Sequence, residues 1–224
     1  MLTPYDWQEG IGNRAQYIEG KLAQGAPILA VSLQSGILVF TFRRRARKIY
    51  EIYDRLIFAG LGQQSDVEAV RLAALEFASR EGFQRSEADV TIQRVATAMS
   101  APLKKAFGDF GSSPLVARSL FAEVGETPDE DLYYILDYDG DFAPAHHHAA
   151  VAGTLEAGAR LDEALKSVDG SLSPEDAMTR LQEIWRSLET EGDHREEDLS
   201  PEGVLLERAG GRVNRFRLMT KEEF

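Results

Sequence analysis

The hydrophobic positions between residues 28 and 59 follow the pattern of adjacent β-strands. Two runs, residues 28–33 and 37–42, are rich in β-branched and large apolar side chains and are separated by Gln34-Ser35-Gly36. This pattern predicts a hairpin with a glycine in its turn, and residues 56–59 predict a further short strand. Because the runs are almost continuously apolar, we expect a sheet that is covered on both faces.

Other stretches place apolar residues at the three- and four-residue spacing of amphipathic helices. In residues 6–24 the apolar stripe is Ile11, Ala15, Ile18 and Leu22, with Asp6 as the expected cap. The remaining predicted helices are residues 65–82, with Val67, Val70, Ala74, Leu75 and Ala78 inward, residues 89–107, with Ile92, Val95, Ala96 and Met99 inward, residues 155–167 and residues 174–188. Pro102 is expected to kink or interrupt the helix at 89–107, and Gly108 is expected to end it.

Strand patterns return in the second half of the chain. Residues 115–124 and 132–138 predict two strands around an acidic loop, and residues 142–151 predict one weaker strand around Pro144. A closing hairpin is expected from residues 204–208 and 212–219 around Gly210-Gly211, after a polar surface loop at 189–202. Residues 1–5 are expected to form an extended tail, and residues 221–224 a second tail.

The order of these elements is helix, strands, two helices, strands, two helices, strands. Strands and helices do not alternate strictly, so a doubly wound parallel sheet is not expected. We predict an α+β fold with four layers, an αββα sandwich in which two stacked antiparallel sheets are flanked by helix pairs. The length of 224 residues fits one large domain.

Composition and charge narrow the class of protein. The formal net charge of −12 argues against a general nucleic-acid-binding surface, because phosphates would be repelled. The chain has no cysteine, which excludes disulfides and thiolate sites. No apolar run approaches the roughly 18 residues that span a bilayer, and the N-terminus has no secretory signal pattern. We therefore expect a cytoplasmic protein that binds neither nucleic acid nor membrane.

Two motifs suggest metal binding at first sight. His146-His147-His148 is one, but consecutive residues on a strand point to alternate faces, so at most two could share an ion. Asp137-x-Asp139-Gly140-Asp141 is similar to a calcium loop, yet Phe142 stands where that loop needs glycine and His148 where it needs glutamate. We predict neither a metal nor a cofactor.

Several short motifs resemble, in order and at compatible spacing, the proteasome subunits of the N-terminal-nucleophile hydrolases. Residues 48–59, KIYEIYDRLIFA, are similar to the lysine segment of bacterial, actinobacterial-type 20S proteasome α subunits. Further similar motifs are Glu81-Gly82-Phe83 with Asp89-Val90-Thr91, Phe121-Ala122-Glu123-Val124, Leu132-Tyr133, Tyr138-Asp139-Gly140 and Gly153-Thr154. The resemblance covers residues 4–219 and implies the proteasome subunit fold.

This resemblance makes the residues before the first core strand decisive. A catalytic β subunit exposes a threonine there, whose free amine is the base and whose hydroxyl is the nucleophile. This chain has Gly25-Ala26-Pro27 instead, and Thr3 precedes the helix at 6–24, far from Lys48. The acidic residue of active subunits near the end of the second strand is replaced by Thr41-Phe42-Arg43. We therefore expect a subunit that is not an enzyme and has no catalytic residue.

Lys48 is the main candidate binding residue. The resemblance implies that it lies in a pocket between neighbouring α subunits and pairs with the C-terminal carboxylate of an activator ATPase. The alternative is an ordinary salt bridge with a neighbour such as Glu51. The arginines within residues 43–47 attract an acidic partner surface or form a solvated basic turn, and the sequence leaves both hypotheses open.

Thr3, Pro4, Tyr5 and Asp6 are the second candidate site. The resemblance implies that seven N-termini converge on the axis of an α ring and close its pore. Pro4-Tyr5-Asp6 resembles the start of the bacterial tails and the Tyr-Asp-Arg gate motif of archaeal and eukaryotic α subunits, with Trp7 in place of the arginine. The alternative is a frayed terminus without a gating role.

The resemblance as a whole implies a non-catalytic α-type subunit of a 20S core particle. Such a subunit forms an outer heptameric ring, gates the passage of unfolded protein substrates, docks a AAA+ ATPase and supports degradation by catalytic β subunits. Residues 1–24 would be the gate tail and α-specific helix, residues 25–220 the αββα domain, and residues 221–224 a C-terminal tail. The alternatives are an active threonine peptidase of this fold and a ring-forming scaffold without a peptidase partner.

Overall fold

The computed structural model describes residues 4–189, 199–208 and 214–224. The helices in these ranges are α1 (Pro4–Leu22), α2 (Gln64–Gln84), α3 (Ile92–Gly108), α4 (Leu155–Leu165) and α5 (Pro174–Glu189). The strands are β1 (Ile28–Leu33), β2 (Gly36–Arg43), β3 (Ile49–Tyr53), β4 (Leu56–Gly62), β5 (Ala117–Glu123), β6 (Leu132–Leu136), β7 (Phe142–Ala145), β8 (His148–Val151), β9 (Ser200–Glu207) and β10 (Phe216–Leu218). Short 3-10 turns lie at Glu87–Asp89, Pro128–Glu130 and Lys221–Glu223.

The strands form two antiparallel sheets. The first sheet has the order β10-β9-β2-β1-β8, and the second has the order β3-β4-β5-β6-β7. In the predicted hairpin of β1 and β2, Ala30 lies opposite Val39, and β2 pairs along its whole length with β9, where Val39 lies opposite Val204. In the second sheet, Ala59 of β4 lies opposite Leu120 of β5. The predicted antiparallel arrangement is confirmed.

Clusters of buried apolar side chains hold four layers together. The middle cluster lies between the sheets and includes Val39 of the first and Leu120 of the second. One outer cluster joins the first sheet to α4 and α5 through residues such as Phe40 and Trp185, and another joins the second sheet to α2 and α3 through residues such as Phe58. Successive strand residues therefore point into different apolar layers, which explains the continuous apolar runs and confirms the αββα architecture.

Helix α1 closes one end of the two-sheet sandwich. Ile18 and Leu22 have no exposed surface and belong to the middle cluster together with Leu61, near the end of β4. Arg14 fastens the helix to α3 by a 3.0 Å hydrogen bond from its Nη2 to the carbonyl oxygen of Ala106. The amphipathic stripe predicted for this helix thus packs at the mouth of the sandwich rather than on the outer face of a sheet.

Both ends of the chain differ from the predicted tails. Pro4 and Tyr5 are the first residues of α1 rather than part of an extended segment, which agrees with the preference of proline for the first helical turn. At the other end, Lys221–Glu223 form a 3-10 turn, and the ring of Phe224 lies 6.4 Å from that of Phe40. The C-terminal residues therefore pack on the first sheet.

Residues 142–151 form two strands in different sheets rather than the single strand predicted. β7 is an edge of the second sheet and β8 an edge of the first. The chain crosses between them at His146-His147, where His147 has a φ of 64°. The backbone N–H of Ser32 donates to the carbonyl oxygen of His147 at 2.7 Å, which ties this crossing to β1. The pattern did not reveal the break because alanines stand on both sides of the three histidines, as they could in one continuous strand.

Two further predictions need correction. Pro102 lies inside α3, which continues to Gly108, so the proline does not interrupt the helix; Met99 and Leu103 anchor both sides of it to the outer cluster of the second sheet. β9 begins within the predicted surface loop, since its pairing with β2 starts at Ser200 opposite Arg43. The predicted turn at Gly210-Gly211 lies outside the described residues.

Candidate docking site around Lys48

Lys48 lies at the end of the connection between the two sheets. β2 of the first sheet ends at Arg43, and β3 of the second sheet follows Lys48 directly, so residues 44–48 form a crossover loop. The loop is exposed at Arg44 and Arg45 and becomes half-buried at Lys48. Its place between the sheets brings a basic stretch of the sequence to the mouth of the sandwich.

Glu202 on β9 holds the crossover loop in place. Its side chain is buried, and its two carboxylate oxygens accept hydrogen bonds from the backbone N–H groups of Lys48 at 2.9 Å and Ile49 at 3.3 Å. The same carboxylate forms ion pairs with Arg47 at 3.4 Å and Arg43 at 3.7 Å. These hydrogen bonds and ion pairs offset the free-energy cost of removing the carboxylate from water. Two of the arginines near Lys48 are therefore engaged in supporting the loop.

The side chain of Lys48 reaches Ala26, which lies two positions before the start of β1. Its Nζ donates a 2.5 Å hydrogen bond to the carbonyl oxygen of Ala26. Burial lowers the pKa of Lys48 from 10.5 to about 8, and the negative charge of Glu202 opposes this shift. The carboxylate beside Lys48 is thus Glu202 and not Glu51, which accepts a 3.2 Å hydrogen bond from Asn214.

Lys48 lines an open pocket of about 240 Å³ between the end of α1 and the crossover loop. The described residues around this pocket are Gln24, Gly25, Ala26, Phe42, Arg43, Arg44, Arg45, Ala46, Lys48, Gly62, Gln64 and Leu199. None of these described lining residues is acidic, and none carries a hydroxyl or a thiol. The charges of the described walls therefore suit an anion, and these walls supply neither a hydroxyl nor a thiol nucleophile.

The backbone just before β1 is fixed by two side chains. The carbonyl oxygen of Pro27 accepts hydrogen bonds from Thr41 Oγ1 at 2.7 Å and from Trp185 Nε1 at 3.1 Å. The hydroxyl of Thr41 is thereby directed at a backbone carbonyl. These hydrogen bonds hold the backbone before β1 in place and, with that from Lys48 to Ala26, bring Lys48 and residues 25–27 together.

The candidate gate residues lie far from Lys48. Thr3 is outside the described residues, whereas Pro4, Tyr5 and Asp6 form the first turn of α1, with Tyr5 84% exposed. A helix of 19 residues rises about 27 Å from its first to its last residue, and its last residue lies near the pocket. The structure therefore separates the two candidate sites and joins them by one helix.

Sequence analysis missed Glu202, which it assigned to a surface loop. The available signal was a pair of acidic residues, Glu202 and Glu207, on either side of the apolar run of β9, in a chain with four arginines within residues 43–47. That signal does not say which acid meets which arginine. Only the pairing of β2 with β9, where Thr41 lies opposite Glu202, reveals the contact.

The three consecutive histidines are not gathered into one site. His147 Nδ1 lies 3.8 Å from Asp129, and His148 Nε2 lies 3.3 Å from Asp162. In the part of the chain that the structure describes, no group of three or more histidine, aspartate or glutamate side chains is arranged to hold a metal ion. No helix among the described residues is long and apolar enough to cross a membrane.

The sequence of this chain is similar to a family model and to the sequences of several known proteins. Residues 23–192 match the family model described as "Proteasome subunit". The chain is 36% identical over 154 residues to a proteasome subunit alpha of Xylanimonas cellulosilytica, an alignment that covers 67% of this chain and 63% of that protein. It is 31% identical to a proteasome subunit alpha of Streptomyces avermitilis, covering 77% of this chain and 74% of that protein.

A proteasome subunit alpha of Jonesia denitrificans is 29% identical over 220 residues, which is 96% of this chain and 91% of that protein. The matched part of the chain thus spans between just under two thirds and nine tenths of these relatives. The match to the family model covers most of the chain and includes the crossover loop and Lys48. The chain therefore belongs to the proteasome subunit family and is of the actinobacterial α-subunit type.

Proposed function

We propose that this chain is a non-catalytic α subunit of a 20S proteasome core particle, and that its Lys48 pocket docks the C-terminal carboxylate of a AAA+ ATPase. The proposal rests on one observation above all. Lys48 Nζ donates to the carbonyl oxygen of Ala26 in a pocket whose described walls contain cations but no hydroxyl or thiol. A chain-end carboxylate can satisfy the remaining donors of a partly desolvated ammonium and adds a charge-assisted hydrogen bond.

The absence of catalysis is supported by the residues before β1. Gly25-Ala26-Pro27 supply no hydroxyl, and α1 leads directly into them along the chain. Ile18 and Leu22 fill the adjoining end of the sandwich with apolar side chains. A threonine with a free amine would require cleavage just before β1 and loss of this packed helix.

The assembly belongs to the same proposal. Seven copies form an outer ring over catalytic β subunits, residues Thr3, Pro4, Tyr5 and Asp6 close its pore, and unfolded proteins pass through it in the cytoplasm. The support comes from relatives named as α subunits and from the exposure of Tyr5 at the start of α1. The division into residues 1–24, 25–220 and 221–224 is proposed on the same grounds.

Co-expression with a β-type proteasome subunit from the same genome tests the function. We expect a stable particle by native mass spectrometry, with peptidase activity only when both subunits are present. An epoxyketone inhibitor should label the β subunit and leave this chain unmodified, because this chain has no amino-terminal threonine at β1.

Two other outcomes would favour the alternatives. Labelling of this chain by the epoxyketone, or peptide hydrolysis by this chain alone, would identify an active threonine peptidase. A ring of this chain that never associates with the β subunit would identify a scaffold without a peptidase partner.

A further inference from the structure

The two halves of helix α1 are held to the rest of the molecule in different ways. The second half is anchored by Ile18 and Leu22, which have no exposed surface. A 3.0 Å hydrogen bond from the hydroxyl of Tyr138 to Glu19 Oε1 adds to this anchor. In the first half, residues 5–9 are all exposed. The packing of the second half therefore does not explain why the first turns are helical.

The sequence between the two halves disfavours a helix. Gly10 and Gly12 lie within α1, and glycine is among the poorest helix-forming residues because it loses the most backbone freedom on folding. Helices in proteins gain most of their stability from tertiary packing rather than from propensity. The stretch from Gly10 to Gly12 is thus where α1 bends most easily, and small residues often serve as hinges.

One aromatic contact joins the first turns of α1 to the segment that follows α3. The ring of Trp7 lies 4.9 Å from that of Phe110, edge to face at 80°. Phe110 lies so close to the α1 backbone that a Cβ atom on residue 10 would stand 2.8 Å from its ring. Glycine at position 10 therefore permits the approach of Phe110. A Cβ atom on residue 12 would meet no atom of the other described segments within 4 Å.

The segment that carries Phe110 is held in a fixed shape. Asp109 accepts hydrogen bonds from the backbone N–H of Gly111 and from the hydroxyl of Ser112, both at 2.9 Å. Arg14 Nη2 donates to the carbonyl oxygen of Ser112 at 2.9 Å, and the guanidinium carbon lies 5.6 Å from the centre of the Phe110 ring. Phe110 therefore offers a preset surface on which the first turns of α1 can pack.

We propose that the contact between Trp7 and Phe110 is a latch that positions the gate residues Tyr5 and Asp6. When the latch is broken, α1 bends between residues 10 and 12, and its first turns lose their fixed place. Residues held in one place can close a shared pore, whereas a frayed turn cannot, so loss of the latch makes the gate leak. This inference rests on the proposed function, because it takes Tyr5 and Asp6 as gate residues.

Two glycine substitutions separate the latch from helix propensity. Gly10→Ala and Gly12→Ala both introduce the best helix-forming residue, so both favour a straight α1. Only Gly10→Ala places a methyl group against the ring of Phe110 and displaces that ring from Trp7. The latch therefore predicts that Gly10→Ala loosens the first turns and that Gly12→Ala does not.

Aromatic substitutions provide a second matched set. Trp7→Ala and Phe110→Ala each remove one ring of the latch, and with Gly10→Ala they are the latch variants. Tyr17→Ala removes another ring of α1 that is exposed to a similar degree, 50% against 47% for Trp7, but lies ten residues further along the helix. Tyr17→Ala and Gly12→Ala are the control variants. Trp7→Phe keeps an aromatic ring in the latch and serves as the conservative variant.

Hydrogen exchange of the full-length chain, followed by mass spectrometry, measures the order of the first turns without reference to gating. The backbone amides in residues 4–16 should exchange about threefold to tenfold faster in the latch variants, which is the factor expected for the loss of one aromatic contact. The control variants and Trp7→Phe should exchange like the unaltered chain. Unchanged exchange in both Trp7→Ala and Phe110→Ala would overturn the latch.

Hydrolysis of an unstructured protein by the assembled particle then measures the gate. The latch variants should speed this hydrolysis, as the deletion of residues 1–6 is expected to do, whereas the control variants and Trp7→Phe should keep the unaltered rate. If the deletion speeds hydrolysis and the latch variants do not, the inference is wrong and the proposed gate stands. If neither the deletion nor the latch variants change the rate, the proposed gate and the inference both fail.

Discussion

At the scale of single residues, burial changes the protonation of Lys48, which bears on the proposed docking role. Loss of hydration lowers its pKa to about 8. The amine is therefore still mostly protonated at neutral pH, but its charged form is less stable than in water. A carboxylate that arrives beside it restores the favourable environment. Sequence alone shows the lysine, but it does not show the carbonyl of Ala26 or the pocket around it.

The pKa of Lys48 predicts the pH dependence of docking. Binding of a peptide with a free C-terminus should be nearly constant up to about one unit below this pKa and weaken as the pH rises through about 8, because the neutral amine cannot pair with a carboxylate. Fluorescence anisotropy titrations from about pH 6.5 to 9.5 measure the effect. This range spans about one and a half pH units on either side of the pKa. Lys48→Arg serves as the control because its guanidinium stays charged throughout. A flat profile for the unaltered chain would contradict the assignment.

The lowered pKa of Lys48 also makes the free energy of unfolding depend on pH. Since the unfolded chain holds the Lys48 proton more tightly than the folded chain, stability should rise as the pH increases from about 8 towards 10.5. Chemical denaturation of the unaltered chain and Lys48→Met over this window reveals the contribution as a difference in slope. Identical slopes would mean that Lys48 is no less protonated in the fold than in the unfolded chain.

Removing the Lys48 side chain should uncouple the ATPase. Lys48→Ala is expected to abolish ATPase-stimulated protein degradation by the assembled particle while leaving particle assembly and unstimulated peptide hydrolysis intact. Lys166→Ala, at an exposed position near the end of α4, is the matched control. Unchanged stimulation in Lys48→Ala would remove Lys48 from the docking site.

At the scale of elements, the crossover loop depends on a strand that follows it by about 150 residues. Glu202 of β9 accepts a hydrogen bond from the backbone N–H of Lys48, and 154 positions separate the two residues in the sequence. The pairing of β9 with β2 is what delivers this carboxylate to the loop. Consecutive arginines in the loop repel one another, and the buried carboxylate offsets part of this repulsion.

Glu202→Gln tests this dependence. We expect a loss of about 1–3 kcal/mol in the free energy of unfolding, because hydrogen bonds and ion pairs to a buried carboxylate are lost together. The pH midpoint of peptide docking should also move lower, since the charge that raises the pKa of Lys48 is removed. Denaturation and the anisotropy titration measure both effects, and Glu76→Gln on the exposed face of α2 is the control. A midpoint that moves upward would contradict the role of Glu202.

Helix α1 carries the second prediction at this scale. Deleting residues 1–6 should speed hydrolysis of an unstructured protein by the assembled particle, because the proposed gate is lost while Arg14, Ile18 and Leu22 keep the rest of the helix docked. A variant with a Gly-Ser segment of equal length in place of residues 1–6 shows whether gating requires these side chains or only a segment of this length. Equal rates for the deletion and the unaltered chain would count against a gate.

At the scale of the whole molecule, a buried ion pair clamps the end of the sandwich opposite to α1. Arg208, just after β9, donates two hydrogen bonds to Asp131 at 2.6 Å and 2.8 Å and a third to the carbonyl oxygen of Leu33 at 2.9 Å. The Asp131 side chain has no exposed surface, and that of Arg208 is 7% exposed. These contacts join the first sheet to the loop that precedes β6 of the second.

Breaking this clamp from one side should be costly. Asp131→Asn is expected to lower the free energy of unfolding by about 3–5 kcal/mol, because it leaves a buried guanidinium without its counter-charge. The double substitution Asp131→Leu with Arg208→Met should destabilise less than Asp131→Asn, since no unpaired charge remains. Urea denaturation of the three proteins measures the order, and a double variant less stable than the single one would contradict the explanation.

The sequence by itself determined the layers and the family. Continuous apolar runs require strands with an apolar layer on each face, and the amphipathic helices supply the outer layers, so the αββα sandwich follows from patterning. The lysine segment at 48–59 pointed to the proteasome subunits, and Gly25-Ala26-Pro27 is a property of the covalent chain that no folding can change. These features are local, and local patterns can be recognised without knowing what lies across the molecule.

Only the tertiary structure decided how the site is built. The meeting of Lys48, the Ala26 carbonyl and Glu202 joins three segments that are distant in sequence. The strand register of β2 and β9 pairs Arg43 and Arg47 with Glu202, whereas Arg44 and Arg45 are exposed. The break between β7 and β8 is equally hidden in the sequence. Long-range strand pairing and burial determine these features, and neither can be inferred from the spacing of residues along the chain.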